Sequence, residues 1–382
     1  MRTVAGVFRN WWLRSRARLR LELDPWLCLG AGGLLLLGLL MVLNTTYFLD
    51  REKTGSGFRF FVLQLRHVAL GLGLALALSR FSLRGLKRLA LAGLAGSALL
   101  MAALWVPGLG LVRGGARRWL KLGPVVVEPC EFAKLGLVLF LADFLSRREE
   151  RLADFKATAL PALALAVPLV VAVFRQPDFG DAVILVLLCL TMLFVAGVPL
   201  LQVGGLTGAA ASVLLFELAR KAYRRRRLAA FLDPWRLARG AGFQLIQSDI
   251  ALGAGGLFGV GLGASQQKMF YLPQAHSDFV FAVIVEEFGL AGAVAVLALF
   301  AAIAGRGMQV ARREPQAFAS LLAAGLTALL SLQAIINIAV VIGLVPTKGL
   351  PLPFVSYGGS AVVAAMSALG MLLALARRPA VR

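Results

Sequence analysis

The sequence predicts an all-α polytopic membrane protein of about ten transmembrane helices, N-in and C-in, with a large extracytoplasmic loop between helices 7 and 8. Three observations carry this. Of 382 residues, 59% are hydrophobic and 15% are charged, whereas a soluble domain holds about 45–50% apolar and about 25% charged residues. The apolar residues gather in runs near the ~20-residue length that spans a bilayer core as a helix. Runs of that length are also about twice a barrel strand, and a helix satisfies its own backbone polarity in hydrocarbon. A soluble enzyme and a disordered tail are both excluded.

The first run, 26–48, follows Arg2, Arg9, Arg14, Arg16, Arg18 and Arg20. It is too long for a signal-peptide core and lacks a small-residue cleavage site, so it reads as an anchored helix. Further spans are expected at 60–79, 89–106, 130–146, 158–174, 181–198, 200–218, 279–304, 318–345 and 356–376. The domain plan is a basic segment 1–25, a membrane domain 26–376 and a tail 377–382.

Forty Lys and Arg against 19 Asp and Glu give a formal charge of +21. The basic residues divide equally between the two sides, but nine of those outside lie in the one long segment 219–278. Long loops obey the positive-inside rule poorly, so the short loops decide and place both termini inside. The outer surplus then calls for another reason, and an anionic substrate such as a lipid-linked phosphate fits it. Three cysteines without a CxxC say nothing of disulfides or metal. The segment 219–278 opens on Arg220, Lys221 and Arg224 to Arg227 and turns Gly-rich and apolar. That composition suggests a folded cap or interfacial helices rather than a plain connector.

Polar residues collect near the outer helix ends in four clusters. The first holds Arg117, Arg118 and Trp119, then Glu131 and Lys134. Glu131 and Lys134 share a helical face, and a structural ion pair weighs equally with a functional one. Arg117 and Arg118 beside Trp119 also suit an interfacial anchor. In the second, Gln176 to Asp181, a helix-capping role for Asp178 outweighs catalysis about two to one. The third, Tyr271 to Phe279, sets His276 beside Asp278. Ser277 or Asp278 is a simple N-cap on one reading; on the other, Asp278 is a general base. The fourth, Pro346 to Ser360, has three prolines and three glycines, which forbid regular helix. Irregular backbone at membrane depth is tolerated where it lines a cavity, so this segment should border the site, with Lys348 offered to phosphate. Gly259 to Gly263 lacks the βαβ setting of a nucleotide loop, no P-loop exists, and two histidines make no His-rich metal site.

Together these stretches resemble the SEDS family (shape, elongation, division and sporulation), the FtsW/RodA/SpoVE group. They are GARRWLKLGPVVVEPCEFAK, QPDFG, FLDPW, GFQLIQSDIALGAGGLFGVGLGASQQKMFYLPQAHSDFVFAVIVEEFG and VPTKGLPLPFVSYGGS, running from 115 to 360 in the family's order. GLGASQQKMFYLPQAH and the Lys in PTKGLPLP resemble the cell-division branch most. The resemblance implies a peptidoglycan glycosyltransferase that polymerises lipid II at the outer face of the bacterial cytoplasmic membrane, at the division septum. It implies a class B penicillin-binding protein as partner, with other division proteins, membrane lipids and no nucleic acid. It assigns the essential acid to Asp278. Arg118, Arg117, Glu131, Lys134, Asp178, His276, Lys348 and Ser356 are then substrate-binding candidates. Cys130, Asp181, Gln274 and Asp249 depart from the family's usual residues, and Gln274 bears on activation.

Such a reaction needs a base for the acceptor hydroxyl, cations for the leaving diphosphate and a groove for the lipid tail. A divalent cation (Mg2+ or Mn2+) is compatible with the acids, but the sequence marks no metal site. The rival readings are a lipid II flippase and a non-catalytic scaffold. A transporter should carry polar or broken-helix features near mid-bilayer, whereas these lie at one face.

Overall fold

The computed structural model describes residues 23–113, 115–123 and 125–377. The arginines of the N-terminal segment, with Arg378 and Arg382, lie outside the described residues. Ten long helices match the ten expected spans: α1 Pro25–Thr54, α2 Arg59–Leu78, α3 Leu83–Ala103, α4 Pro129–Ser146, α5 Leu160–Arg175, α6 Phe179–Ala196, α7 Leu200–Arg220, α10 Val280–Arg313, α11 Ala317–Val341 and α12 Gly359–Ala376. Two shorter helices, α8 Ala222–Leu232 and α9 Phe243–Gly255, lie between α7 and α10. The protein is therefore a polytopic membrane protein. Nine long helices among the described residues are apolar enough to cross a bilayer on composition alone. The tenth, α4, carries Glu131, Lys134 and Asp143.

Several boundaries differ from expectation. The 356–376 span begins only at Gly359, because Pro351 and Pro353 hold the preceding chain irregular. α10 runs on to Arg313, past the apolar run, since nothing breaks its polar last turns. Between the spans expected to end at 106 and to begin at 130, where no element was expected, lies an antiparallel sheet of β1 Gly110–Arg113, β2 Ala116–Leu122 and β3 Val125–Val127. Gly115 and Gly123, with φ of 76° and 61°, sit in its two turns. The segment 219–278, expected to form a folded cap or interfacial helices, carries α8 and α9.

α11 and α12 form the centre and bury most of their residues, and α4 packs on α3, α6 and α11. α7 buries no residue. At one end of the bundle, Asp24 caps α1 through the amides of Trp26 and Leu27 and pairs with Arg306 at 2.6 Å. The polar clusters gather at the other end, where the sheet, α8, α9 and the 342–358 segment meet. α10 is broken there at Gly289 (φ 67°, ψ −160°). The amides of Val260 and Gly261 bond the carbonyls of Glu286 and Glu287 at that break, so the freed backbone is satisfied by protein.

Candidate active site

The site is assembled from helix ends. Proline at the first position starts α4, leaving Glu128 at its cap and Glu131 and Lys134 on its first turns. Lys134 has no exposed surface; its ammonium lies 2.7 Å from Glu131 Oε1 and 3.1 Å from Asp181 Oδ1. Gln333 of α11 donates to the other oxygen of Glu131. Lys134 thus has its charge engaged by two carboxylates. It joins α4 to α6.

Asp178 performs the expected capping, accepting from the Asp181 amide at 3.3 Å. It also pairs with Arg118 Nε at 3.1 Å, while Arg118 Nη2 donates to the Pro177 carbonyl. Strand alternation turns the next residue the other way: Arg117 stacks 5.6 Å over the Trp105 ring. Arg117 is therefore not brought to the cluster, and the anchor reading suits it better.

Asp278 does not cap α10. Phe279 occupies the cap position, and α10 starts without a side-chain cap. The turn before it hangs on Gln274, whose φ of 59° is left-handed and whose carbonyl accepts from Ser277 and Phe279 amides. Asn337 of α11 fixes this turn to the 342–358 segment by donating to the carbonyls of Asp278 (2.8 Å) and Leu350 (2.6 Å). Ser356 makes a second tie: its hydroxyl donates to the Ser277 carbonyl and accepts from the Leu352 amide. The His276 ring packs against Phe60 and Tyr357. Ser356 and His276 therefore brace the turn.

Three successive residues then touch three parties. The Thr347 carbonyl accepts from Arg227 Nη1 at 3.4 Å. The Lys348 ammonium lies 4.8 Å from the centroid of the Phe179 ring, buried and without a hydrogen-bond partner among the described residues. Gly349 lies against Asp278, so that a Cβ there would meet Oδ2 at 2.8 Å. The Lys348 chain itself runs over Gly180, where a Cβ would sit 2.3 Å from Nζ. A glycine at 180 is thus what admits the lysine.

Burial dominates the ionisation of these groups. It pushes the Asp278 carboxyl up to about 7, with Arg118 and Arg227 pulling the other way. Burial brings the Lys348 ammonium down to about 7, against the pull of Asp178 and Asp181. Burial, then the carboxylates of Asp181 and Glu131, raises the Glu128 carboxyl well above its usual range. Glu128, Asp178 and Asp181 bring carboxylate oxygens within 4.8 Å of one another. The donor type suits Mg2+ or Mn2+, but Lys134 and Arg118 already hold Asp181 and Asp178. A divalent ion there would face two cations, so the arrangement does not fit one.

A cavity of about 900 Å3 lies between α5, α6 and α7. Its walls include Leu163, Val167, Leu190, Ala209 and Val213, and its mouth carries Arg175, Arg220, Lys221 and Arg224. Arg224 pairs with Glu217 at 2.9 Å and stacks toward Phe174 and Phe179. Phe179 thus has Arg224 and Lys348 as neighbours, and the cavity mouth adjoins the Asp278 cluster. Sequence reading missed Gly180, Gly349, Asn337, Gln333 and Arg227 as parts of the site. Only Arg227 carried a signal, its place three residues after Arg224 on a helix.

A helical bundle that spans the membrane, with an acid and an unpartnered ammonium among its helix ends and an apolar cavity beside them, defines a class of polytopic integral membrane protein with a charged site at one end. Residues 25–380 match the family model of the FtsW/RodA/SpoVE cell cycle proteins, and the chain belongs to that family. It is 39% identical over 372 residues to the probable peptidoglycan glycosyltransferase FtsW of Coxiella burnetii, covering 95% of this chain and 99% of that one. It is 40% identical over 283 residues to stage V sporulation protein E of Bacillus subtilis, covering 73% and 76%. Among solved structures, a chain from a peptidoglycan synthase complex that coordinates polymerization and crosslinking superposes with a TM-score of 0.76 at 31% identity, over 93% of this chain and 98% of that one. Rod shape determining protein RodA of Thermus thermophilus gives 0.69 at 28% identity, over 94% and 98%.

Proposed function

We propose that the chain is a peptidoglycan glycosyltransferase that polymerises lipid II at the outer face of the cytoplasmic membrane, at the septum, beside a class B penicillin-binding protein. The observation that carries this reading is the grouping of Asp278, Lys348 and Arg118 among helix ends, with Lys348 sharing the Phe179 ring with Arg224 of an apolar cavity's lining. The relatives named as peptidoglycan glycosyltransferases and the synthase complex support it.

In this reading Asp278 takes the proton from the acceptor sugar 4-hydroxyl. The oxygen bonds the anomeric carbon of the donor with inversion, and the carbon–oxygen bond to the diphosphate breaks. The diphosphate leaves with that electron pair. Lys348 and Arg118 stabilise the charge that develops there, in a site where water screens it little. A carboxyl with a raised pKa is a stronger base than an ordinary one once ionised. The groove between α5 and α7 takes the lipid tail. Lys134, Glu131 and Asp181 hold the helix ends that carry these groups.

The flippase reading is weaker. The buried charged residues of α4 and α6, Glu131, Lys134 and Asp181, lie in the first turns, at the same end as Asp278.

The test is lipid II polymerisation by the purified chain with its cognate transpeptidase, wild type against Asp278→Ala, after matching folding and partner binding. Glycan ladders from wild type alone support the reading. Equal ladders would remove Asp278 from the chemistry. Lipid II flipping in liposomes with no ladder from either would favour transport.

A further inference from the structure

Four successive arginines open α8, and they do not do the same thing. Arg224 turns inward, 4% exposed at its side chain, onto Glu217 and the Phe174, Phe179 and Tyr223 rings. Arg225 and Arg226 are exposed on other faces. Arg227 is exposed as well, but helical spacing three residues on from Arg224 returns it to the side of α8 that carries Arg224. Its one hydrogen bond among the described residues goes to the neutral Thr347 carbonyl, leaving most of its five donors open. The next residue along that strand of chain is Lys348, whose buried ammonium has no partner among the described residues. Arg227 also acts electrostatically on both Asp278 and Lys348. Arg118 stands nearby, a quarter exposed, ion-paired with Asp178 and donating to the Pro177 carbonyl.

We propose that Arg227 is a phosphate-contacting residue of this site, closing with Lys348 and Arg118 a cationic cradle for the diphosphate of a polyprenyl diphosphate lipid. α8 is the arm that delivers it. The proposal rests on the lipid-linked donor of the proposed function. A diphosphate presents several anionic oxygens at once, and a guanidinium fork matches two of them. Lys348 supplies a point charge beneath, and its missing partner is what such a ligand provides.

The test is direct binding of undecaprenyl diphosphate to the full chain in nanodiscs, with undecaprenyl monophosphate as the charge control. Wild type is compared with Arg227→Gln, Arg227→Lys and Arg225→Gln, each first shown to melt like wild type. Loss of one charged hydrogen-bonding partner should weaken diphosphate binding about tenfold. Monophosphate binding should weaken less, Arg227→Lys should recover only part of the loss because it restores the charge without the fork, and Arg225→Gln should stay within about twofold. Undiminished binding by Arg227→Gln, or an equal loss in Arg225→Gln, overturns the cradle, as does wild type that binds neither lipid. If wild type binds the diphosphate through Arg227 yet makes no glycan, the polymerase reading fails and the cradle stands.

Discussion

At the residue scale, the site depends on close approaches as much as on charges. Gly180→Ala places a methyl where the Lys348 chain runs, so the lysine must leave its position over Phe179. The expected result is a normal melting curve with glycan synthesis lowered at least ~10-fold, as for loss of one transition-state hydrogen-bond donor. Gly349→Ala should do likewise by displacing the Asp278 carboxyl, and a wild-type rate in either variant would contradict the geometry. The two titrating groups also fix a pH profile. Asp278 acts ionised, so kcat/KM rises as pH climbs through about 7. Lys348 acts protonated, so kcat/KM falls as pH passes upward through about 7. The profile should be a narrow bell near neutrality. Lys348→Arg, whose charge does not titrate in this range, should keep the acid limb and lose that alkaline limb.

At the element scale, Lys134 is the joint between α4 and α6. Lys134→Met leaves the carboxylates of Glu131 and Asp181 buried without their cation. Breaking a buried ion pair from one side costs about 3–5 kcal/mol, so the detergent-solubilised chain should melt well below wild type. A double variant, Lys134→Met with Asp181→Leu, should regain part of that loss, since contacting residues are not additive. The number and order of the spans were legible because apolar length reports burial in lipid directly. Asp178's cap and the Glu131–Lys134 pair were legible because both obey local helix spacing. The sheet at 110–127 was not, since three short strands among glycines make a weak alternation beside twenty-residue apolar runs. Nor were the duties of Ser356 and His276. Their polarity and place in the loop matched ligand contact as well as bracing, and only tertiary placement separates the two. Gly180 and Gly349 left no trace because the need for a missing side chain is set by a residue far away in sequence.

At the scale of the whole molecule, the charged site and the apolar cavity are neighbours, linked through Arg224 and Phe179. Val213→Trp on α7 fills the groove without touching the charged cluster. It should raise KM for a full-length polyprenyl donor while sparing a short-chain analogue. The contrast between the two donors in one steady-state assay checks it, and equal effects on both would place the tail elsewhere.

The sealed lysine also bears on how the chain is made. α4 is the one long helix too rich in charge to be recognised as a span on composition alone, and its cation is answered in part by Asp181, 47 residues downstream. Until α6 is synthesised, Lys134 has only Glu131 to answer it, and a charged side chain inside a lone helix is costly to leave in hydrocarbon. α4 is therefore expected to settle in the membrane fully only once α6 has joined it, and the ion cluster that frames the site also ties the two helices' insertion together.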